Sequence, residues 1–546
     1  MRFTVIPPRR SIPTPKEPTW FLVQDYWNDY GFQTQYSLHF ATPDSSTHVG
    51  IVKILRKNQT ASDSLQITQD FDTLDESYVS RGQSLDYYEH LASMGAETRD
   101  MVLTALQDVV KSPELRTTFE EEGGWRTSLF RDQDSASINE FLLLAGSLLS
   151  GNYTSLPSEE LHFAFQMNGW SESLAFDFSS GGSAEPFDWN PPSKELPDRV
   201  IALIGRNGSG KSTVLARLAR VAFGTAEQRS RGAFAQLGSI TPIGIGFPRI
   251  IAVSYSAFDS FVLPGLPPMS GGETDEREQI VKDARRGEGR YIFCGLRDIA
   301  GELEARIQED SSLEGFADRE QRTLLKPIAA LAGEFGSTIE LIKRQDRIGD
   351  LEKVFGILAT DSSLSFVTDD DFLQELSGQQ AELLFMNWST GQKIVMQIVA
   401  SLVAHIAPRS LILLDEPEMH LHPPLLATLM HAVRHLLDRR KAFAIIATHS
   451  PVILQETLAR HIYIVRRDET ITAISRPMVE TFGENVGLLT SEVFGLNSQV
   501  TDFHKILNRL IERRLSLEEI DELFEPYGLS FRARAYIMSQ LPKKEG

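Results

Sequence analysis

One short segment constrains the fold of this chain more than any other. The residues from Val200 to Ile204 are all apolar, as in a strand buried inside a parallel sheet. The residues that follow, from Gly205 to Thr213, read GRNGSGKST and open a helical pattern. A P-loop requires this order of strand, glycine-rich loop and helix, whereas an ordinary glycine-rich turn does not. The segment therefore predicts an α/β fold with a phosphate-binding loop.

The composition of this loop explains how it would hold phosphate. Glycines let backbone amides surround an anion without side-chain clashes, and the helix N-terminus adds partial positive charge. We expect Lys211 to reach the β- and γ-phosphates of ATP and the hydroxyl of Ser212 to bind Mg²⁺. The residues predicted to bind the nucleotide in this loop are Gly205, Asn207, Gly208, Ser209, Gly210, Lys211, Ser212 and Thr213.

A second apolar run ends in two carboxylates. Residues 411–414 read Leu-Ile-Leu-Leu and are followed by Asp415 and Glu416. We assign Asp415 to the Mg²⁺ shell and Glu416 to the general base that polarises the attacking water. Because strand ends often meet solvent with charged residues, this assignment depends on the P-loop being present in the same chain.

A further apolar run, residues 444–447, is followed by Thr448, His449 and Ser450. At the tip of a strand next to the P-loop, His449 could contact the γ-phosphate and sense its loss. A lone histidine is more often structural or a helix cap. The order of the motifs favours the catalytic interpretation here.

The segment that precedes the acidic strand reads Trp-Ser-Thr-Gly-Gln-Lys from Trp388 to Lys393. A serine and a glycine at a helix N-terminus make an anion site, although in isolation they are more typical of a simple N-cap. In this position the segment resembles the signature of ABC ATPases, and the order of all four motifs resembles that superfamily. The resemblance implies that Ser389, Gly391 and Gln392 contact ATP bound to a second subunit, so that hydrolysis would occur between two heads.

Within the superfamily the chain resembles the RecF, SMC and OLD branch more than transporters. Residues 415–423, DEPEMHLHP, are similar to the version found in OLD-type defence ATPases. Short pieces outside the core are similar to the PtuA family, the ATPases of Septu and retron-associated anti-phage systems; they are residues 25–32, 50–54, 82–84 with 87–88, 255–259, 295–298 and 491–495. This resemblance implies an ATPase that assembles with a separate HNH-type nuclease, and in retrons with a reverse transcriptase and its msDNA.

The pattern along the chain predicts an ABC-type head with two mostly helical insertions and a helical C-terminal tail. We expect the head to comprise residues 1–60, 156–263 and 384–475, the insertions residues 61–155 and 264–383, and the tail residues 476–546. Antiparallel strands are expected at residues 32–40 and 50–55. In the tail, Ser516 and Glu519 form a capping-box pattern.

Charge and composition limit the choice of partners. The net charge of −20 argues against extensive electrostatic binding of nucleic acid over the protein surface. Basic clusters keep a confined nucleic-acid groove open as an alternative; they are Arg285, Arg286 and Arg290, then Arg439, Arg440 and Lys441, then Arg513 and Arg514. No apolar run reaches the length of a membrane span, and a single cysteine, Cys294, fits a reducing cytoplasm.

Two departures from related ATPases affect the functional hypotheses. ABC proteins normally carry a glutamine after a strand between the P-loop and the signature, but the strand at residues 250–255 leads to Ser256 and Asp259. No counterpart of the OLD nuclease domain follows His449, so we expect no intrinsic nuclease activity. Three hypotheses remain. The chain is a regulatory ATPase of a defence complex, a DNA-repair or chromosome-maintenance ATPase that binds DNA, or a binding module in which ATP stabilises an assembly with little hydrolysis.

Overall fold

The computed structural model describes residues 2–157, 160–179, 196–230, 232–264, 274–309, 317–320, 322–368, 372–376, 378–468, 471–494, 502–513 and 515–540. The chain divides into two compact units, Met1–Phe482 and Gly483–Gly546. Among the described residues, none of the helices combines the length and the apolar composition that a membrane span requires.

The first unit begins with a five-stranded sheet whose hydrogen-bonded order follows the chain: β1 (Phe3–Ile6), β2 (Thr19–Gln24), β3 (Gln35–Ala41), β4 (Ser46–Arg56) and β5 (Tyr78–Gly82). β1 and β2 are parallel, and the later pairs are antiparallel. The β3–β4 pair confirms the two antiparallel strands expected from the sequence. β5 lies within residues 61–155, where we predicted mostly helices.

Helices pack against this sheet and contribute to its two apolar clusters: α1 (Leu85–Ser93), α2 (Ala96–Ala105), α3 (Glu114–Phe119) and α4 (Ser135–Ser150). The limits of α4 follow from its end residues. The carboxylate of Asp134 accepts a hydrogen bond from Ser137 N at 2.8 Å, and Gly151 adopts a left-handed φ of 64° after the last turn.

The remaining strands are β6 (His162–Met167), β7 (Leu174–Asp177), β8 (Val200–Ile204), β9 (Gly238–Thr241), β10 (Ile250–Ser254), β11 (Tyr291–Gly295), β12 (Leu411–Asp415), β13 (Phe443–Thr448), β14 (Ile462–Asp468) and β15 (Ile471–Ser475). A three-stranded antiparallel sheet has the order β7-β6-β9. The seven-stranded main sheet has the order β11-β10-β12-β13-β8-β14-β15, and only its β14–β15 pair is antiparallel.

The register of the main sheet brings several strand ends to one edge. Ser254 of β10 is paired with Asp415 of β12, which is paired with Ala447 of β13. Ala447 is in turn paired with Leu203 of β8. Because these strands are parallel, the loops that follow them lie side by side at the carboxyl edge, where α/β sheets bind ligands.

Three helices follow β8: α5 (Lys211–Phe223), α6 (Ala226–Ser230) and α7 (Gly232–Ala235). A buried charge cluster attaches this region to the N-terminal sheet. The fully buried Lys53 of β4 donates hydrogen bonds to Asp29 at 2.8 Å and to Glu227 of α6 at 3.2 Å. Buried charges are stable only when paired, so this cluster fixes the N-terminal sheet against the element that follows the P-loop helix.

The second predicted insertion is not only helical. It contains α8 (Thr274–Arg286), α9 (Ile299–Glu309), α10 (Ile328–Arg344), α11 (Ile348–Leu358), α12 (Phe372–Glu375) and α13 (Gly378–Asn387). It also contains β11, which pairs with β10 and forms one edge of the main sheet. The run from Tyr291 to Gly295 is short and bounded by turn residues, so its strand character depends on the neighbouring β10.

Further helices complete the first unit: α14 (Thr390–His405), α15 (Pro423–Arg440) and α16 (Pro451–Gln455). The second unit contains α17 (Val486–Phe494), α18 (Asp502–Glu512), α19 (Leu517–Glu522) and α20 (Phe531–Gln540). The capping box predicted at the start of α19 is confirmed, since Ser516 and Glu519 exchange both hydrogen bonds. Leu507 and Ile520 lie in the small core of this unit.

Candidate nucleotide site

The loop between β8 and α5 has a backbone that only glycine adopts readily. Gly208 and Gly210 have φ angles of 78° and 98°, in the left-handed region. At Gly205 an added Cβ would lie 2.1 Å from the carbonyl oxygen of Val465 on the neighbouring β14. The loop is therefore shaped by close backbone packing as well as by turn geometry, as expected for a phosphate-binding loop.

The ammonium of Lys211 is buried at the base of this loop. Its Nζ donates to the carbonyl oxygen of Gly205 at 3.0 Å and to that of Arg206 at 3.4 Å. The same Nζ lies 2.8 Å from Nε2 of His449. Burial lowers the pKa of Lys211, and the nearby carboxylates, Glu416 first, oppose this shift.

Ser212 and Asp415 connect the loop to the acidic strand. Ser212 Oγ donates a hydrogen bond to Asp415 Oδ1 at 2.8 Å. Burial raises the pKa of Asp415 to about 7, and the charges of Glu416 and Asp259 add to this effect. A carboxylate in this state is costly to ionise without a cation beside it, and oxygen ligands of this kind suit Mg²⁺.

Glu416 follows Asp415 in an unusual backbone conformation. Its φ of 47° is in the left-handed region, which non-glycine residues adopt rarely and mostly at functional sites. Its N–H donates to the carbonyl of Ala447 at 2.8 Å, which holds the residue at the sheet edge. Nε2 of His449 lies 3.4 Å from Oε1 of Glu416, and this hydrogen bond lowers the pKa of Glu416 more than burial raises it. Glu416 is therefore ionised at neutral pH, the state that a general base requires.

His449 lies between the P-loop lysine and the acidic strand. Its Nε2 lies 2.8 Å from Lys211 Nζ and 3.4 Å from Glu416 Oε1, so one ring atom contacts both groups. The position of the residue is fixed by Glu418, whose Oε1 accepts from Thr448 Oγ1 at 2.9 Å and from His449 N at 2.5 Å. Glu418 is part of the DEPE motif, but sequence reasoning gave it no role.

The remaining predicted P-loop residues differ in their surroundings. Ser209 is buried, and within the part of the chain that the structure describes its Oγ has no hydrogen-bond partner. Asn207 and Gly208 are exposed at the tip of the loop, and Thr213 is half-buried in the first turn of α5. A buried hydroxyl without a partner is rare in native proteins, and in this loop it fits a site that binds a polar ligand.

The sequence alone did not indicate that an aromatic side chain, Trp170, lies beside the P-loop. Trp170 lies in the turn between β6 and β7, where its N–H donates to the carbonyl of Met167 at 3.1 Å. A Cβ added to Gly210 would lie 3.4 Å from Cζ2 of Trp170, so the indole is in contact with the P-loop. Only the pairing of β6 and β7 and their packing beside β8 reveal this position, because nothing in residues 168–173 resembles a motif.

The signature segment lies apart from the P-loop of its own chain. Ser389 caps α14, accepting from Gln392 N at 3.4 Å while Gln392 Oε1 accepts from Ser389 N at 2.8 Å. Gln392 Nε2 donates to the carbonyl of Ser363 at 2.6 Å. Among the described residues, the hydrogen bonds of Ser389 and Gln392 do not reach Lys211 or its loop. The structure thus brings Lys211, Ser212, Asp415, Glu416 and His449 together and leaves the signature separate.

Close packing against the described residues does not require glycine at position 391. An added Cβ would lie 3.4 Å from the carbonyl oxygen of His420 and 3.4 Å from Leu425 Cδ2, which are ordinary contacts. Glycine in the first turns of a helix destabilises it relative to alanine. Nearby, His422 caps α15, where its Nδ1 accepts from Leu425 N at 3.3 Å.

The parallel main sheet, the P-loop and the acidic strand beside it define an ABC-type P-loop ATPase head with helical insertions and a helical tail. The chain belongs to the same family as protein ea59 of Escherichia phage lambda. The two are 31% identical over 545 residues, which is 95% of this chain and 94% of that protein. The family profile described as "AAA domain, putative AbiEii toxin, Type IV TA system" matches residues 272–455.

The resemblance to PtuA is confirmed over part of the chain. Septu protein PtuA of Bacillus thuringiensis is 27% identical over 190 residues, which is 32% of this chain and 48% of that protein. Among solved structures, the SMC head domain from Thermotoga maritima is 12% identical and covers 59% of this chain and 100% of that chain, with a TM-score of 0.26. At this TM-score the structural similarity adds nothing to the evidence from the sheet and its motifs.

The contact between Trp170 and the P-loop generates a prediction about the base of the nucleotide. Trp170→Ala should weaken ATP binding about 5- to 150-fold, because a stacked base contributes about 1–3 kcal/mol. Calorimetry with inorganic tripolyphosphate supplies the control, since this ligand has phosphates and no base and should bind both proteins equally. Equal ATP affinity for the variant and the unaltered chain would remove Trp170 from the site.

Proposed function

We propose that this protein binds ATP with Mg²⁺, hydrolyses it between two heads, and thereby regulates a separate nuclease in an anti-phage defence complex. The observation that carries the proposal is the convergence of Lys211, Ser212, Asp415, Glu416 and His449 at one edge of the main sheet. The match to the AAA-domain family profile supports the ATPase class, and the partial similarity to PtuA supports the defence role.

The P-loop would hold the triphosphate. Lys211 Nζ now donates to the carbonyls of Gly205 and Arg206 and contacts His449 Nε2, and phosphate oxygens would replace some of these contacts. Since His449 contacts the same Nζ, a γ-phosphate bound to Lys211 would lie within reach of the histidine. His449 would then respond to loss of the γ-phosphate, and Glu418 would hold it in place through its backbone N–H.

Ser212 and Asp415 fit the part of the site that would hold Mg²⁺. A hydroxyl and a carboxylate within hydrogen-bond distance of each other provide two oxygen ligands on the P-loop side of the sheet. When bound, the ion neutralises charge that develops on the phosphate oxygens. Asp415, whose pKa is raised to about 7 by burial, would be kept ionised by the cation.

Glu416 would act on the attacking water. Its carboxylate is next in sequence to Asp415, has a pKa lowered by the hydrogen bond to His449, and is only partly buried. A base in this position accepts the proton that water loses as it attacks the γ-phosphate. Because Glu416 has a left-handed backbone conformation, its side chain does not continue the alternating side-chain directions of β12.

A second copy of the chain would complete the site. Ser389, Gly391 and Gln392 lie at an exposed or half-exposed helix N-terminus, where backbone N–H groups favour an anion. They make no hydrogen bond to the P-loop among the described residues, and Gly391 leaves its surface open to close approach. We therefore infer that these residues contact the γ-phosphate held by the P-loop of the partner head.

The finer part of the proposal concerns the partners. By analogy with PtuA we propose a complex with a separate HNH-type nuclease in the cytoplasm, and a reverse transcriptase with its msDNA as a further partner in a retron context. ATP-dependent closure of the two heads would hold or release the nuclease. A DNA-repair or chromosome-maintenance role, with direct binding of DNA by the chain, is the alternative.

The surroundings of the basic clusters favour the first role over the second. In two of the clusters the arginines form ion pairs with acidic residues of the same chain: Arg285 with Glu304, Arg286 with Glu288, Arg290 with Asp86, and both Arg439 and Arg440 with Asp350. In the third cluster, Arg514 lies outside the described residues. Arginines that are already paired offer little net attraction to a phosphate backbone.

Replacing the base tests hydrolysis. Glu416→Gln should slow ATP turnover by about a hundredfold or more, because a general base typically contributes at least that factor, while ATP binding stays intact. Glu352→Gln is the matched control, since Glu352 is an exposed residue of α11. Steady-state phosphate release and equilibrium ATP binding are the two measurements. Unchanged phosphate release by Glu416→Gln would remove this residue from the chemistry.

Infection assays test the defence role separately from the ATPase. Cells that carry the gene for this chain with its neighbouring genes should form fewer phage plaques than cells with an empty plasmid. Lys211→Ala should abolish this protection, because it removes the cation that faces the phosphates. If cells with the intact genes remain as sensitive as control cells to every phage tested, the defence role fails while the ATPase assignment stands.

A further inference from the structure

We infer that Ser254, at the carboxyl end of β10, holds a water molecule in the coordination shell of the Mg²⁺ bound by Ser212 and Asp415. Sequence reasoning found no residue in this region that could complete the metal site. Ser254 is 6% exposed, and its Oγ has no hydrogen-bond partner among the described residues. Buried hydroxyl groups are nearly always hydrogen-bonded, so an unpartnered one beside a site indicates a missing polar ligand.

The register of the sheet places this hydroxyl next to the metal-binding carboxylate. Ser254 is the direct partner of Asp415 in the parallel β10–β12 pair. In-register neighbours on adjacent strands point to the same face of a sheet. The side chain of Asp415 is on the face covered by α5, because it accepts a hydrogen bond from Ser212 in the first turn of that helix. Ser254 Oγ is therefore on the P-loop face as well.

Contacts on the other face confirm this orientation. Cys294 is paired with Val253, and its Sγ lies 3.8 Å from the carbonyl oxygen of Gln397 on α14. Tyr255 Oη lies 3.4 Å from the same sulfur. Because Val253 and Tyr255 flank Ser254 in the strand, Ser254 has the opposite orientation and faces α5.

The neighbours of Ser254 leave its hydroxyl available for a ligand. On the β11 side it is paired with Gly295, which has no polar side chain to bond the hydroxyl; a Cβ added there would lie 1.9 Å from the carbonyl oxygen of Ser254. The nearest acidic residue of the loop that follows, Asp259, is engaged by Arg297 at 3.4 Å and by the N–H of Phe261 at 3.1 Å. Ser254 is thus the uncommitted polar side chain beside Asp415 on this strand, and a metal-bound water would satisfy it.

This inference rests on the proposed function, and the experiment separates the two. The affinity of the full chain for a non-hydrolysable ATP analogue is measured by calorimetry with EDTA and with Mg²⁺. The unaltered chain should bind in EDTA and gain affinity with Mg²⁺. Ser254→Ala should bind equally in EDTA and lose most of the Mg²⁺-dependent gain, by about tenfold, as for a hydrogen bond to a charged group. Ser256→Ala, on the next loop, is the matched control and should behave like the unaltered chain.

Ser254→Thr provides a second variant, because it keeps the hydroxyl and should keep the Mg²⁺-dependent gain. An unchanged gain in Ser254→Ala would overturn the inference and leave the proposed function intact. Weaker binding of Ser254→Ala in EDTA would also overturn it, since the hydroxyl would then act on the nucleotide or the fold. No analogue binding by the unaltered chain would reject the proposed function itself, and this inference with it.

Discussion

The hydrogen bond from Ser212 to Asp415 is the interaction on which the site depends. It joins residues 203 positions apart in the chain and fastens the first turn of α5 to the end of β12. Asp415 is buried enough for its pKa to rise to about 7, so the bond also satisfies a group that would otherwise be costly to bury. Because β12 and β13 are paired in register, fixing Asp415 also fixes Glu416 and His449 relative to the P-loop.

The parts of the site that come from local sequence could be predicted. The P-loop has a backbone that glycine alone adopts readily, and the apolar runs of β8, β12 and β13 are buried strands of the length expected for a parallel sheet. The three loops that follow these strands converge because parallel strands end at a common edge. Local patterns placed Lys211, Ser212, Asp415, Glu416 and His449 at this edge, because each residue lies at the carboxyl end of its strand or in the loop and first helical turn that follow it.

The residues that could not be predicted reach the site through the tertiary structure. Trp170 meets Gly210 only because the β6–β7 turn packs beside the P-loop, and Ser254 neighbours Asp415 only because β10 pairs with β12. β5 and β11 lie in stretches that read as helical, and each is a strand because a neighbouring strand pairs with it. The domain limits drawn from the sequence stay a prediction. Each stretch expected to be a helical insertion contributes a strand to a sheet, β5 to the N-terminal sheet and β11 to the main sheet.

The central claim is that ATP is shared between two heads, and a mixing experiment tests it most directly. Lys211→Ala removes the phosphate-binding cation, and Gly391→Arg blocks the signature while leaving the P-loop of its own chain able to bind ATP. In a mixed pair one site carries both defects and the other carries neither. Phosphate release should therefore be lost in each variant alone and return in part when the two are mixed. Phosphate release by Gly391→Arg alone at the rate of the unaltered chain would contradict the claim.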